Sequence, residues 1–356
     1  MRVFVSEFLC GGGWPDAEFP PSLAREGRAM LDAVLMDFAA VPGCDVVTTW
    51  DDRLPPCGIA GVDAISVASP AEERRRFDEL AAACDATLVI APEFDGLLTE
   101  RCRRVVSNGG RLLGPDPDAV ALCADKLRLA EHLTRHGLAT VPTTRLVDEA
   151  VLSQPPFLLP LVIKPRDGAG SLRLFGVRTI EEFEQALAAF AATTGLESAI
   201  VQPWISGRAL SAGVLIGPRS VQVLPLVEQH LSRDGRFRYE GGRLPVCQEL
   251  FSSIERLVRL ACDTIPGLHG YVGFDLLVRE DRPVIVEINP RLTTSYIGYR
   301  ALAEENLALR MLEPDQQEPM RWSEGRVSFD ASGSVGRTSE SVRVAPGSGE
   351  TASMAE

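Results

Sequence analysis

The chain has 356 residues, with 36 Lys and Arg against 49 Asp and Glu, for a formal net charge of −13. That length exceeds what one hydrophobic core organises, so several domains are expected. Hydrophobic residues at 45% and charged residues at 24% exclude a disordered chain, and the acidic balance excludes a general nucleic-acid binder. No apolar run reaches the ~18–20 residues of a membrane helix. The opening Met1–Leu9 is interrupted at Ser6 and Glu7, which suits a first strand rather than a signal peptide. A cytoplasmic protein with no membrane partner is expected. The eight cysteines lack any Cys-x-x-Cys pair and read as reduced thiols.

In chain order, Arg2–Val5 is a short apolar strand that ends in a Gly11-Gly12-Gly13 turn. Ser22 to Ala40 carries Leu23, Met30, Leu31, Val34, Leu35 and Phe38 at helical spacing. Strands follow at Asp45–Thr49 and Ala64–Val67. A helix over Pro70–Cys84 sets Phe77, Leu80 and Ala81 on one face, and Ala86–Ala91 is a buried-type strand. Leu97–Asn108 is a helix closed by Gly109-Gly110. Strands alternating with helices at this interval predict a parallel, doubly wound sheet.

Gly114-Pro115-Asp116-Pro117 breaks that pattern. Asp118 to His136 reads as one helix with Gly137 as its C-cap. Then come a strand at Leu161–Pro165, a glycine-rich loop, a strand near Arg173–Val177, a helix over Ile180–Thr194 and a strand at Ala199–Ile205. Ala209–Ile216 and Val221–Leu226 form a strand pair around Gly217-Pro218. A helix over Ser252–Thr264 precedes two strands, Gly270–Arg279 and Pro283–Asn289. Past Arg326–Val335 the chain is rich in Ser, Gly, Thr and Glu, and a mobile tail is expected.

Two stretches carry chemistry. In the last hairpin, Asp275 lies on one strand while Glu287 and Asn289 lie on the next. Alternation places Glu287 and Asn289 on one face, with Val286 and Ile288 on the other. Two carboxylates and an amide make an oxygen-only site, suited to Mg²⁺ held together with nucleotide phosphates. The bland alternative is an amphipathic surface hairpin, against which the string Glu-Ile-Asn-Pro-Arg is specific. The second stretch is Val162-Ile-Lys164-Pro-Arg-Asp167-Gly168-Ala-Gly170-Ser171. A lysine closing an apolar strand before a glycine-rich turn suits a phosphate cradle, and the loop is not a Walker A motif. Lys126, after Asp125 near the start of a helix, is a second candidate. His132 and His136 lie four apart, but Leu133 stands where a zincin needs glutamate, so they read as helix-surface residues.

In this order these elements resemble the ATP-grasp superfamily, from about Gly114 to Leu312. The matching strings are Asp125-Lys126, Ile163-Lys164-Pro165 with its loop, Gln202-Pro-Trp204-Ile205 and Asp275…Glu287-x-Asn289. The resemblance implies an α/β domain over 1–115, then a small lobe over 116–205 and a large lobe over 206–312. A C-terminal strand and tail follow over 313–356. ATP would lie between the lobes, with Lys126 and Lys164 on its phosphates and the Asp167, Gly168, Gly170, Ser171 loop above them. Gln202, Trp204 and Ile205 would meet the adenine. Asp275, Glu287 and Asn289 would hold Mg²⁺, or Mn²⁺ in its place. Lys164 and Arg291 would act catalytically, Arg291 on the substrate carboxylate or its phosphorylated form. Many relatives carry an acid just before Leu210-Ser211; this chain has Arg208-Ala209 there, so ribose recognition is unassigned.

The implied activity is an ATP-dependent ligation of a carboxylate to an amine through an acyl phosphate. The opening Phe4–Gly13 and the later Glu287–Tyr296 most resemble the tyramine–L-glutamate ligases of methanofuran-type cofactor synthesis. Other acid and amine pairs, and a non-catalytic nucleotide-binding regulator, stay open as alternatives. So does the assembly, a homodimer included. Gly11–Gly13 is either a strand-exit turn or a substrate loop. Arg238–Gly242 is a lid or an acceptor-binding loop, with Tyr239 stacking on an aromatic amine, or else an exposed connection.

Overall fold

The computed structural model describes residues 1–15, 18–146, 155–168, 173–315 and 318–338. Its first strand, β1 (Arg2–Glu7), is buried on both faces because helices cover both. Val3 and Val5 pack with α1 (Pro21–Ala39), whereas Phe4 joins a core formed with α2 (Pro70–Ala83) and α3 (Leu97–Ser107). Strands β2 (Asp45–Asp51), β3 (Val62–Val67) and β4 (Ala86–Ile90) complete a parallel sheet of order β3-β2-β1-β4. This is the doubly wound arrangement that the alternation predicts.

The single helix expected over 118–136 is instead two, α4 (Pro117–Ala124) and α5 (Lys126–Arg135). Asp125 between them is extended (φ −94°, ψ 97°), and its carboxylate accepts from the Arg128 N–H at 3.1 Å, capping α5. Arg166 also grips that carboxylate, with donations at 2.8 and 2.6 Å. Apolar spacing runs through the break, so periodicity cannot reveal it. The break places Lys126 at the very start of α5.

A four-stranded antiparallel sheet follows, built from β5 (Thr144–Arg145), β6 (Leu161–Pro165), β7 (Phe175–Val177) and β8 (Ala199–Pro203) in the order β5-β8-β6-β7. Helix α6 (Ile180–Ala191) covers one face, burying Phe183 and Phe190 against Leu161, Ile163 and Val201. The larger sheet contains β9 (Arg208–Ile216), β10 (Val221–Val223), β11 (Val227–Leu231), β12 (Tyr239–Leu244), β13 (Gly270–Arg279), β14 (Arg282–Asn289), β15 (Arg326–Asp330) and β16 (Val335–Thr338). Its order is β14-β13-β9-β11-β12-β15-β16, with β10 on β9. Helices α4, α5 and α7 (Phe251–Thr264) form a core with one face of this sheet. Helices α8 (Ser295–Leu302) and α9 (Leu307–Leu312) pack with α1 and the strand residues Tyr271, Leu244 and Phe329.

Helix α1 thus shares a core with both the parallel sheet and the large sheet. The Asp37 carboxylate fastens it there, accepting from the Tyr296 hydroxyl at 2.7 Å and from Arg300 at 3.0 and 2.8 Å. The polar stretch at Arg238–Gly242 proves to be neither lid nor exposed connection. It enters β12, between β11 and β15. Its glycines mark close strand approach, since a Cβ on Gly241 would lie 2.1 Å from the Phe329 carbonyl oxygen. The expected tail beyond residue 338 lies outside the described residues. No helix among the described residues is long and apolar enough to cross a membrane.

Candidate active site

Between β6 and β8 on one side and β9, β11, β13 and β14 on the other lies a cleft of about 950 Å³. Lys164 reaches it because strand alternation buries Leu161 and Ile163. The Lys164 ammonium donates to Glu287 Oε1 at 2.7 Å. Lys126 lies 3.6 Å from Glu287 Oε2 and donates to the Gly168 carbonyl at 3.1 Å. Asp275 and Glu287 stand directly opposite each other on β13 and β14, with a bulge just beyond Asp275. Asp275 accepts from Asn289 Nδ2 at 3.0 Å and from Gln229 Nε2 at 2.8 Å. The two lysines, two carboxylates and Asn289 predicted from the sequence therefore converge.

Their charges are set by each other. Burial raises the Asp275 carboxyl to about 6, reinforced by the negative charge of Glu287. Burial acts on Glu287 the same way, but Lys126 and Lys164 overcome it and hold that carboxyl at about 2. The Lys164 ammonium is pushed below its usual range by burial, which Glu287 opposes. Among the described residues, no cluster of three or more His, Cys, Asp or Glu side chains makes a self-sufficient metal site. The oxygen-only set of Asp275, Glu287 and Asn289 nevertheless fits Mg²⁺, an ion that usually keeps water or phosphate oxygens among its ligands. Asp275 points the same way, since a divalent cation would relieve what burial and Glu287 impose on it.

Gln202, Trp204 and Ile205 line the neighbouring wall with Val141, Leu174 and Leu277. Gln202 Nε2 donates to the Thr143 hydroxyl at 2.9 Å, and the Trp204 ring meets Phe237 edge to face at 4.8 Å. Arg208, at the unassigned ribose position, donates to Cys247 Sγ at 2.6 Å and Glu249 at 3.2 Å. Gly168 lines the cleft, whereas Asp167 turns toward the parallel sheet, where its carboxylate accepts from the Asp95 N–H at 3.0 Å. Gly170 and Ser171 lie outside the described residues.

Arg291 lines the far end of the cleft, with its guanidinium already engaged. It donates to Glu93 at 2.7 and 3.0 Å and to the Leu292 carbonyl at 3.0 Å. Sequence reasoning missed Glu93, yet it follows the carboxyl end of β4, where open α/β sheets place functional groups. It also missed Gln229 and Glu26, whereas Tyr239, offered by the sequence as a stacking residue for an aromatic amine, lines the cleft. Gly11–Gly13 do not line the cleft and act as a packed turn: a Cβ on Gly13 would lie 2.6 Å from the Phe8 ring.

The fold agrees with the comparisons. The ATP-grasp domain family matches residues 123–295, and the pre-ATP-grasp domain family matches 44–120, so the two span more than half of the chain. A crystal structure of an ATP-grasp superfamily protein from Archaeoglobus fulgidus superposes with a TM-score of 0.70. It is 22% identical and covers 93% of this chain and 92% of its own. The chain belongs to the ATP-grasp superfamily and is a ligase, an enzyme that joins a carboxylate to an amine through a C–N bond. It is similar to the tyramine–L-glutamate ligase of Methanocaldococcus fervens, at 26% identity over 89% of this chain and 95% of the relative. The enzyme of that name from Methanocaldococcus jannaschii is 23% identical over 84% of each chain.

Proposed function

We propose that the enzyme joins tyramine to L-glutamate, using ATP to convert a glutamate carboxylate into an acyl phosphate that the amine then attacks. The observation that carries this reading is the convergence of Lys126, Lys164, Asp275, Glu287 and Asn289 at one point of the cleft. Similarity to the two tyramine–L-glutamate ligases over most of both chains supports the substrate pair. The chain divides into an α/β unit over 1–115, lobes over 116–205 and 206–312, and a C-terminal segment over 313–356.

A carboxylate resists attack by an amine because its charge and resonance disfavour addition. Lys126 and Lys164 bind the phosphate oxygens and spread their negative charge, and Gly168 fixes the Lys126 ammonium. Asp275, Glu287 and Asn289 would hold Mg²⁺, which would supply positive charge against the charge that develops on the phosphate. Gln202, Trp204 and Ile205 seat the adenine. Arg291, steadied by Glu93, offers its remaining N–H groups to the glutamate carboxylate. The test is ADP release with ATP and Mg²⁺ in the presence of L-glutamate, tyramine, or both. Release that needs both supports the reading, and release indifferent to either refutes it.

A further inference from the structure

The cleft's far end carries acid that the phosphate chemistry does not use. Five carboxylates line the cleft among the described residues: Glu26, Glu228, Glu240, Asp275 and Glu287. Arg243 donates to Glu228, Gln229 and Asn289 to Asp275, and Lys164 to Glu287. Glu240 is exposed. Glu26, on α1, takes no hydrogen bond or ion pair from any described residue. Arg291 and Arg25 are the cations that act on it. Arg291 already makes two bonds to Glu93 and forms no ion pair with Glu26. The Tyr239 hydroxyl, affected by Glu26 across this end of the cleft, is buried and forms no hydrogen bond, although Thr294 and Ser295 lie beside it. A buried hydroxyl and a half-buried carboxylate, both unpartnered in one pocket, call for a ligand that donates hydrogen bonds and carries positive charge.

We propose that Glu26 binds the ammonium group of the amine substrate and takes the proton this nitrogen must lose before it attacks the activated carboxyl carbon. The assignment rests on the ligase reading above and extends it to the nucleophile's side of the site. In the step, one proton passes from the ammonium to the Glu26 carboxylate. The freed nitrogen lone pair forms the C–N bond, the C–O bond to phosphate breaks, and phosphate departs with that electron pair. The second nitrogen proton leaves with the phosphate, and Glu26 returns its own to solvent. Burial raises the Glu26 carboxyl to about 7, near the value that lets a group both lose and accept a proton in neutral solution. Tyr239 accepts a second ammonium hydrogen through its hydroxyl oxygen.

Hydroxylamine separates this role from the rest of the reaction, because it is largely uncharged at neutral pH and needs no base to become a nucleophile. The experiment compares wild type with Glu26→Gln, using ATP, Mg²⁺ and L-glutamate with either tyramine or hydroxylamine. In the variant the ratio of tyramide to hydroxamate should fall about 100-fold or more, the size expected for a lost general base. The acidic limb of kcat/KM for tyramine, with a midpoint near 7 in wild type, should disappear with it. A ratio unchanged in Glu26→Gln overturns the proposal, whether both products fall together or neither does. Wild type yielding no hydroxamate from L-glutamate would instead refute the ligase reading, and the assignment would fall with it. Wild type yielding hydroxamate and no tyramide would keep the acid and reject tyramine. Glu26 is then judged by the same ratio with the amine that does react.

Discussion

Replacing Asp275 with asparagine should stabilise the metal-free protein while disabling the enzyme. The carboxyl rises from an ordinary 3.8 to about 6, because burial and the Glu287 charge disfavour its ionised form. A rise of that size corresponds to about 3 kcal/mol. The unfolded chain releases this proton near pH 4 and the folded chain only near pH 6, so the native state is increasingly penalised between those values. Above pH 6 the penalty is complete. The neutral amide of the Asp275→Asn variant would carry none of it, but would give up about 1 kcal/mol by accepting only one of the bonds now donated by Gln229 and Asn289. Asp275 is also partly open to the cleft, where solvent weakens the penalty. The net gain expected for Asp275→Asn at pH 7 is therefore about 1–2 kcal/mol, or roughly 2–8 °C. The assay is thermal or urea unfolding in EDTA at pH 7 and pH 4, with ligation measured in parallel. The gain should be absent at pH 4. A variant less stable than wild type at pH 7, or equally stabilised at both pH values, would refute the reasoning.

Lys164→Ala should lower ADP formation by about 10²–10³-fold, the usual effect of removing one preorganised group that stabilises transition-state charge; single-turnover kinetics would show it, and a loss below tenfold would remove Lys164 from the phosphate site. Glu73→Gln should cost about 3–5 kcal/mol in denaturant unfolding. It strands the Arg101 guanidinium that Glu73 now binds at 2.5 and 2.7 Å in the interior. The KM for ATP should not change, because neither residue lines the cleft.

The parallel sheet could be read from the sequence because each strand is a short apolar run between amphipathic helices, and both periods are local. The hairpin of Asp275 and Glu287 was equally readable, since alternation alone fixes which side chains share a face. Other features needed the third dimension. The kink at Asp125 depends on Arg166, some forty residues away, gripping its carboxylate. The glycines of β12 resemble a loop until β15 is seen against them. Glu93 and Glu26 come from the α/β unit, and only tertiary packing brings Glu93 to Arg291 and Glu26 to the end of the cleft that Tyr239 lines. No spacing within the sequence encodes those meetings. The net charge of −13 likewise gave no hint that lysines and carboxylates would balance at the centre of the cleft.

The central claim is that one enzyme activates a glutamate carboxylate with ATP and passes the acyl group to an amine. It is tested most directly by incubating the protein with ATP, Mg²⁺, tyramine and L-glutamate labelled with ¹⁸O in its carboxylates, followed by mass spectrometry of all products. The account predicts an amide with the combined mass of both substrates less one labelled water, and a phosphate that carries one ¹⁸O atom from the acid. Unlabelled phosphate, or ADP formed without any amide, would contradict it.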